Sequence, residues 1–333
     1  MAESGLPVVV AAIALSYVYA FVGGFTDAAN SIATAVGTRV FRPAQAVLVA
    51  AIFETLGALT GTAVALTIGK GIVAPEFLSQ GAVVAALLGA TTWSLLTYRF
   101  GIPVSETHGL IGAILGVGLL VAGPPAINWL GLAPVLLAIV ISPVLGALGG
   151  GLALSLTWNL AGSLRLDQAT SVLRMLQRLS SIYMAFSHGR NDAQKPMGVL
   201  ALALAVYFGS SAVEVPVWVI VSVGAVAGLG VAAGGWRIIR TLGMRVTGLT
   251  PDQGFAAEVA AATVLQVASQ AGIPVSTTHT ITAAIVGVGM LRGWRAIRWG
   301  LVRGIAVSWA LTLPATILFG FVYAAAARLV TGG

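Results

Sequence analysis

From Thr107 to Leu164 the chain runs without a single Asp, Glu, Lys or Arg. A helical bilayer span needs about 20 apolar residues, so this run holds two spans, parted by a Gly123-Pro124-Pro125 turn. Further charge-free or nearly charge-free stretches cover roughly 6–22, 43–69, 80–98, 196–213, 215–235, 255–291 and 304–327. Only 8% of the 333 residues are charged, against roughly 25% in a soluble domain. So few charges cannot cover a water-facing surface, and an apolar content of 58% excludes disorder. The chain has no cysteine, which removes disulfides and Cys-ligated metal sites. In lipid every backbone polar group needs an internal partner, which leaves helices or a closed barrel. The alternating pattern of a barrel is absent. The expected fold class is an all-α polytopic membrane protein. The opening MAESGLPVVV carries no basic n-region, so no cleaved signal peptide is expected.

The net charge of +7 reads as membrane topology rather than as a nucleic-acid footprint. With the Arg39–Arg42 loop placed in the cytoplasm, alternating crossings put thirteen arginines inside, from Arg39 to Arg303, and only Lys70 and Arg328 outside. Under the positive-inside rule this predicts ten segments with both termini outside.

The chain also repeats itself. Gly101-Ile-Pro-Val-Ser-Glu-Thr-His108 recurs as Gly272-Ile-Pro-Val-Ser-Thr-Thr-His279, and Gly24-Phe-Thr-Asp-Ala-Ala-Asn30 has a looser counterpart in Gly189-Arg-Asn-Asp-Ala-Gln-Lys195. The offsets of 171 and 165 residues are close to half the chain. We therefore expect a first membrane repeat over 1–161, a basic cytoplasmic joint over 162–178 and a second repeat over 179–333. Five segments per half is an odd number, so the second half enters the membrane inverted. Such inverted repeats are typical of secondary transporters, whose substrate site lies where the halves meet.

Polar groups at membrane depth are costly and mark function. The segment from Leu6 to Thr38 is interrupted by Val22-Gly23-Gly24-Phe25-Thr26-Asp27-Ala28-Ala29-Asn30-Ser31. This predicts an unwound stretch in which Asp27 gives an anionic oxygen and Thr26, Asn30 and free carbonyls give neutral ones, a set suited to a small alkali cation or a proton. Ser187-His188-Gly189-Arg190-Asn191-Asp192-Ala193-Gln194-Lys195-Pro196 repeats this interruption, with Pro196 suited to the first turn of a following half-helix. Asn191 and Asp192 can serve the cation, while Gln194, Lys195 and, last in rank, Arg190 can serve an anion.

Each Gly-Ile-Pro-Val-Ser motif precedes an apolar helix. Ser105 and Ser276 stand where an N-cap is needed, and helix N-termini attract anions. Two such starts brought together make an oxyanion site, which suits phosphate or sulfate. Reaching the midplane favours hairpin tips over full spans. Glu54, alone in an apolar run, is either a cation or proton ligand or a neutral acid bonded to a neighbour. Glu258 is expected at the interface. His108 and His279 are read as orienting the motif loops by hydrogen bonding.

Taken together, Gly24 to Gly37, His188 to Gly198, both Pro-Val-Ser-x-Thr-His copies and Phe53-Glu54-Thr55-x-Gly57-Ala58 resemble the motifs of the inorganic phosphate transporter (PiT) family, across nearly the whole chain. The resemblance implies no enzyme and no cofactor. It implies import of inorganic phosphate across the cell membrane by alternating access, in symport with Na⁺ or H⁺. It implies Asp27, Asn30, Asn191, Asp192 and Glu54 for the cation, the first four as metal ligands if that cation is sodium. For phosphate it implies Ser105, Thr107, Ser276, Thr277, Thr278, Gln194 and Lys195. Thr26 stands where the family usually has Asn, and Arg190 where it has a small or neutral residue, which leaves the coupling ion open. The same motifs also suit a sulfate or metal–phosphate carrier and, as a different class, an anion channel, and they are compatible with a homodimer in the bilayer.

Overall fold

The computed structural model describes residues 5–163 and 165–331. The expected sidedness of the termini concerns residues 1–4 and 332–333, and these, with Leu164 of the expected joint, lie outside the described residues. Among the described residues no strand forms beyond one isolated bridge between Val73 and Ile127. The first half supplies α1 (Leu6–Gly37), α2 (Pro43–Ala58), α3 (Ala63–Gly71), α4 (Gln80–Arg99), α5 (Glu106–Ala122) and α6 (Trp129–Ala161). The second supplies α7 (Leu166–Asp192), α8 (Gln194–Phe208), α9 (Val217–Ala233), α10 (Trp236–Arg240), α11 (Pro251–Gln270), α12 (Thr277–Met290) and α13 (Trp299–Thr331).

Local chemistry sets the ends of these helices. The Ser79 hydroxyl accepts from Ala82 N–H at the start of α4, and the Asn128 side-chain oxygen Oδ1 accepts from Gly131 N–H at the start of α6. Thr250 and Gln253 form a capping box that opens α11.

Helices α1, α4, α6 and α13 are long and apolar enough to cross a membrane. The pair α2–α3, bent by 68°, meets the same measure when joined, as does α9 with residues 236–245, bent by 58°. With 17 and 14 residues, α5 and α12 are shorter. Each folds back on the helix before it, α5 on α4 and α12 on α11, so both Pro-Val-Ser motifs sit at the turns of helical hairpins.

Two expectations about broken helices are corrected. The Val22–Ser31 stretch does not unwind, and α1 is continuous from Leu6 to Gly37. Gly24 is there for close approach, since a Cβ on it would collide with the Ala227 carbonyl of α9. The Thr26 hydroxyl returns a hydrogen bond to Val22 O at 2.9 Å, as a helical threonine does. The second motif is barely interrupted, because Ala193 between α7 and α8 keeps right-handed helical angles of −66° and −23°. The pronounced breaks lie instead at residues 59–62 and 234–235, inside the two bent pairs.

The halves pack on each other through equivalent helices: α1 on α9 and α7 on α2, α5 on α13 and α12 on α6. At each of these four crossings a glycine from each helix faces backbone of the other. The pairs are Gly24 and Gly230, Gly189 and Gly57, Gly116 and Gly320, Gly287 and Gly146, and a Cβ on any of them would run into the partner's main chain. Small residues allow this approach, and with lipid outside, van der Waals packing is what holds such helices together.

Candidate functional site

The two hairpin turns meet inside the protein. In one, α4 ends at the exposed Arg99, Gly101 reverses the chain at φ +67°, and the Ser105 hydroxyl accepts from His108 N–H at 3.1 Å to begin α5. In the other, Gly272 takes φ +70° and the Ser276 hydroxyl accepts from His279 N–H at 3.2 Å to begin α12. Both turns need the left-handed region, where a side chain is strained. The tips then exchange hydrogen bonds: Thr107 Oγ1 donates to Val275 O at 2.9 Å, and Thr278 Oγ1 donates to Val104 O at 2.8 Å.

Because α1 stays helical, Thr26, Asp27, Asn30, Ser31 and Thr34 fall on one face at spacings of three and four. The Asn30 amide donates to Thr277 Oγ1 at 3.2 Å and to Thr278 Oγ1 at 3.0 Å. Asp27 is buried, with Thr278 Oγ1 at 3.4 Å from its Oδ1 and with Asp192 and His188 beside its carboxyl. Its Oδ2 and the Asn30 Oδ1 have no hydrogen-bond partner among the described residues.

The face opposite is built by α7 and α8. Lys195 Nζ lies 2.9 Å from Asp192 Oδ1, with Lys195 only 1% exposed. Asp192 Oδ2 accepts from Thr277 Oγ1 at 3.2 Å and lies 3.4 Å from His188 Nε2. The other ring nitrogen, His188 Nδ1, lies 2.9 Å from Glu54 Oε2, and Ser31 donates to Glu54 Oε1 at 2.6 Å. Glu54 thus joins the cluster through His188. Asp27, His188 and Asp192 each offer a ligand atom within 4.8 Å of the others. Oriented to satisfy both its atoms, the Asn191 amide donates to Val275 O and Asp192 Oδ1, each at 3.2 Å, and accepts from Ser269.

Several residues take other places. Gln194 Oε1 accepts the Val64 and Ala65 N–H groups at 2.8 and 3.2 Å, closing the open start of α3, and its amide donates to Arg190 O at 2.6 Å. Arg190 donates to Gln266 Oε1 at 2.8 Å. Thr26 faces Glu106 and donates to its Oε1 at 2.8 Å. The His108 and His279 rings pack edge to face at 4.6 Å, and His279 stacks on Trp309 at 3.8 Å. Glu258 is completely buried. It accepts from Thr34 at 2.5 Å and from Ser180 and Ser181, so three hydroxyls replace the water it would otherwise need.

Three residues at the site escape the motif reading. Glu106 accepts from Ser94 at 2.6 Å as well as from Thr26, and Tyr19 donates its hydroxyl to Glu106 O at 3.1 Å. Both line, with Glu54, His188, Asp192 and Lys195, a cavity of about 20 Å³. The available signal for Glu106 is that the two motif copies differ there, Glu106 against Thr277, and that an unneutralised carboxylate inside an apolar segment is costly. His188 could be found by its i,i+4 spacing to Asp192.

The chain matches the family described as the phosphate transporter family over residues 23–172 and 161–320. It is 44% identical to a protein of Rhizobium meliloti (strain 1021) named "Probable low-affinity inorganic phosphate transporter", over 99% of each chain. A protein of the same name from Bacillus subtilis (strain 168) is 37% identical over 90% of this chain and 91% of its own. Among solved structures, "The sodium-dependent phosphate transporter" superposes with a TM-score of 0.89 at 28% identity, covering 98% of this chain and 100% of that one.

Proposed function

Since the chain belongs to the phosphate transporter family, we propose that it imports inorganic phosphate across the cell membrane in symport with a cation, by alternating access between two inverted halves. The observation that carries this is the pair of buried oxygens without partners, Asp27 Oδ2 and Asn30 Oδ1, at the point where the two tips meet. Buried polar atoms are nearly always paired. Two unpaired acceptors, one a carboxylate oxygen and one an amide oxygen, suit a small hard cation, which prefers oxygen ligands.

Charge sets the order of events. Asp27, Glu54, Glu106 and Asp192 gather around one lysine and one histidine. An anion entering this surplus of carboxylates is repelled until cations or protons neutralise it. Cation first, phosphate second is therefore the favoured sequence, with Asp27, Asn30, Asn191 and Asp192 serving Na⁺ if sodium is the coupling ion. Lys195 and the hydroxyls of Ser105, Thr107, Ser276, Thr277 and Thr278 then face the phosphate. In the structure these hydroxyls cap helices, bind the opposite tip or bind Asp192. A cavity of about 20 Å³ suffices for a water, which needs roughly 10–15 Å³ on the same measure, so phosphate entry requires the tips to part.

The deciding experiment is labelled phosphate uptake into proteoliposomes under separate Na⁺ and pH gradients. Uptake driven by one of these gradients and competed by arsenate is expected. Uptake indifferent to both, or competed equally by sulfate, overturns the reading.

A further inference from the structure

The two bent helix pairs do the same thing to opposite hairpins. On α3, Thr67 Oγ1 donates to Gly272 O at 2.7 Å, reaching from the first half to the turn of the second. In the π-helical turn that follows α10, Thr241 Oγ1 donates to Gly101 O at 3.1 Å, reaching from the second half to the turn of the first. Each acceptor is the left-handed glycine that opens a Gly-Ile-Pro-Val-Ser motif. Each hydroxyl also has a fallback on its own helix one turn back, Ala63 O at 3.2 Å for Thr67 and Arg237 O at 3.2 Å for Thr241. The bond to the glycine can therefore open without stranding the donor. A π turn beside one of these bonds fits the tendency of such turns to occur at functional sites.

The two turns are secured unequally. Beside Gly101, Arg237 also donates to Arg99 O, and its guanidinium lies 5.8 Å from the centre of the Tyr98 ring. Beside Gly272, Thr67 and Lys70 border an open cavity of about 430 Å³ that reaches Ile273 and Pro274.

We propose that Thr67 and Thr241 are positioning residues for transport, latches that hold the two motif tips and release them one at a time. The tips are braced to each other through Thr107 and Thr278. With one latch open, the other still holds the braced pair, so a gap forms at the released side alone. The Gly272 side, secured by one side chain, opens more readily than the Gly101 side, secured by two. This rests on the transport reading above, which supplies the need for tips that part.

The absence of native cysteine makes the test direct. Single cysteines are placed at Ile273 and at its counterpart Ile102, and their labelling by a membrane-impermeant maleimide is timed in proteoliposomes of the full chain, from each side and without phosphate. In Thr67→Val the cysteine at 273 should label roughly three- to tenfold faster, the size expected from one neutral hydrogen bond, while that at 102 stays unchanged or slows. In Thr241→Val combined with Arg237→Gln the pattern should reverse. Thr67→Ser should restore native labelling, and Thr67→Ala replaces Thr67→Val if the valine variant fails to fold. Unchanged labelling in both variants, or faster labelling of both cysteines in a single variant, overturns the latches. Because labelling is scored without phosphate, a failure of phosphate uptake counts against the transport reading and leaves the latch result standing.

Discussion

The hydroxyl of Thr278 donates to the carbonyl of Val104, 174 residues earlier in the chain and on the opposite hairpin. The reverse contact, Thr107 to Val275, ties the same two turns from the other side. Thr278 differs from Thr107 in also accepting from Asn30 and facing Asp27.

This asymmetry makes a prediction. Thr278→Val should reduce phosphate uptake far more than Thr107→Val, since it removes a contact of the candidate cation site as well as a brace. Each should lower stability by about 1 kcal/mol, the usual net worth of a hydrogen bond. Uptake rates and detergent melting curves of the two variants check it, with equal uptake as the contrary result.

Asp27→Asn should abolish cation-driven uptake and leave folding intact, because the amide keeps the shape of the carboxyl and Thr278 Oγ1, 3.4 Å from Asp27, also donates to Val104 O. Asp192→Ala should do more, since buried Lys195 would lose the one carboxylate it pairs with directly, at 2.9 Å. Breaking such a pair costs on the order of 3 kcal/mol. Thermal unfolding separates the two, and a stable Asp192→Ala protein would contradict the prediction.

Glu106→Gln should fold normally. The hydroxyls it would release have other acceptors one turn back, Val22 O for Thr26 and Ala90 O for Ser94. It removes one negative charge from the cavity wall, so the concentration of coupling cation needed for half-maximal uptake should rise several-fold, as expected for charges near a partly buried site. A cation titration of phosphate uptake tests this, and an unchanged midpoint argues against a role in coupling.

Gly189→Ala should destabilise by about 1–3 kcal/mol, the usual cost of overpacking, because its Cβ would meet the Glu54 backbone. Gly304→Ala, with nothing within 4 Å of the added Cβ inside α13, should be neutral or stabilising by up to about 1 kcal/mol. Comparison of the two melting temperatures checks both.

The helical class, the duplicated motifs and the serine caps at 105 and 276 were legible in the chain because each leaves a local signature. Long-range partners were not. Gly23 and Gly24 look like a helix break, yet Gly24 serves an approach to Ala227, which lies about two hundred residues away. Gln194 looks like an anion ligand until α3 is seen to need its open N–H groups covered. The partners of Glu258 are not legible because its three hydroxyl donors come from α1 and α7, far from it in sequence. Tyr19 sits in an apolar run where an aromatic residue suggests lipid contact, and only the fold turns it inward to Glu106.

The reciprocal glycines at the four helix crossings also constrain how the gene can vary. A single-base change that alters the residue a glycine codon specifies yields a stop or a residue with a Cβ, and at these eight positions a Cβ meets main chain that has no rotamer with which to yield. Codon-by-codon mutagenesis with growth selection should therefore show four matched pairs of intolerant positions, two in the first half answering two in the second at each kind of crossing. The exposed leucines of α6 and α13 should accept almost any apolar replacement.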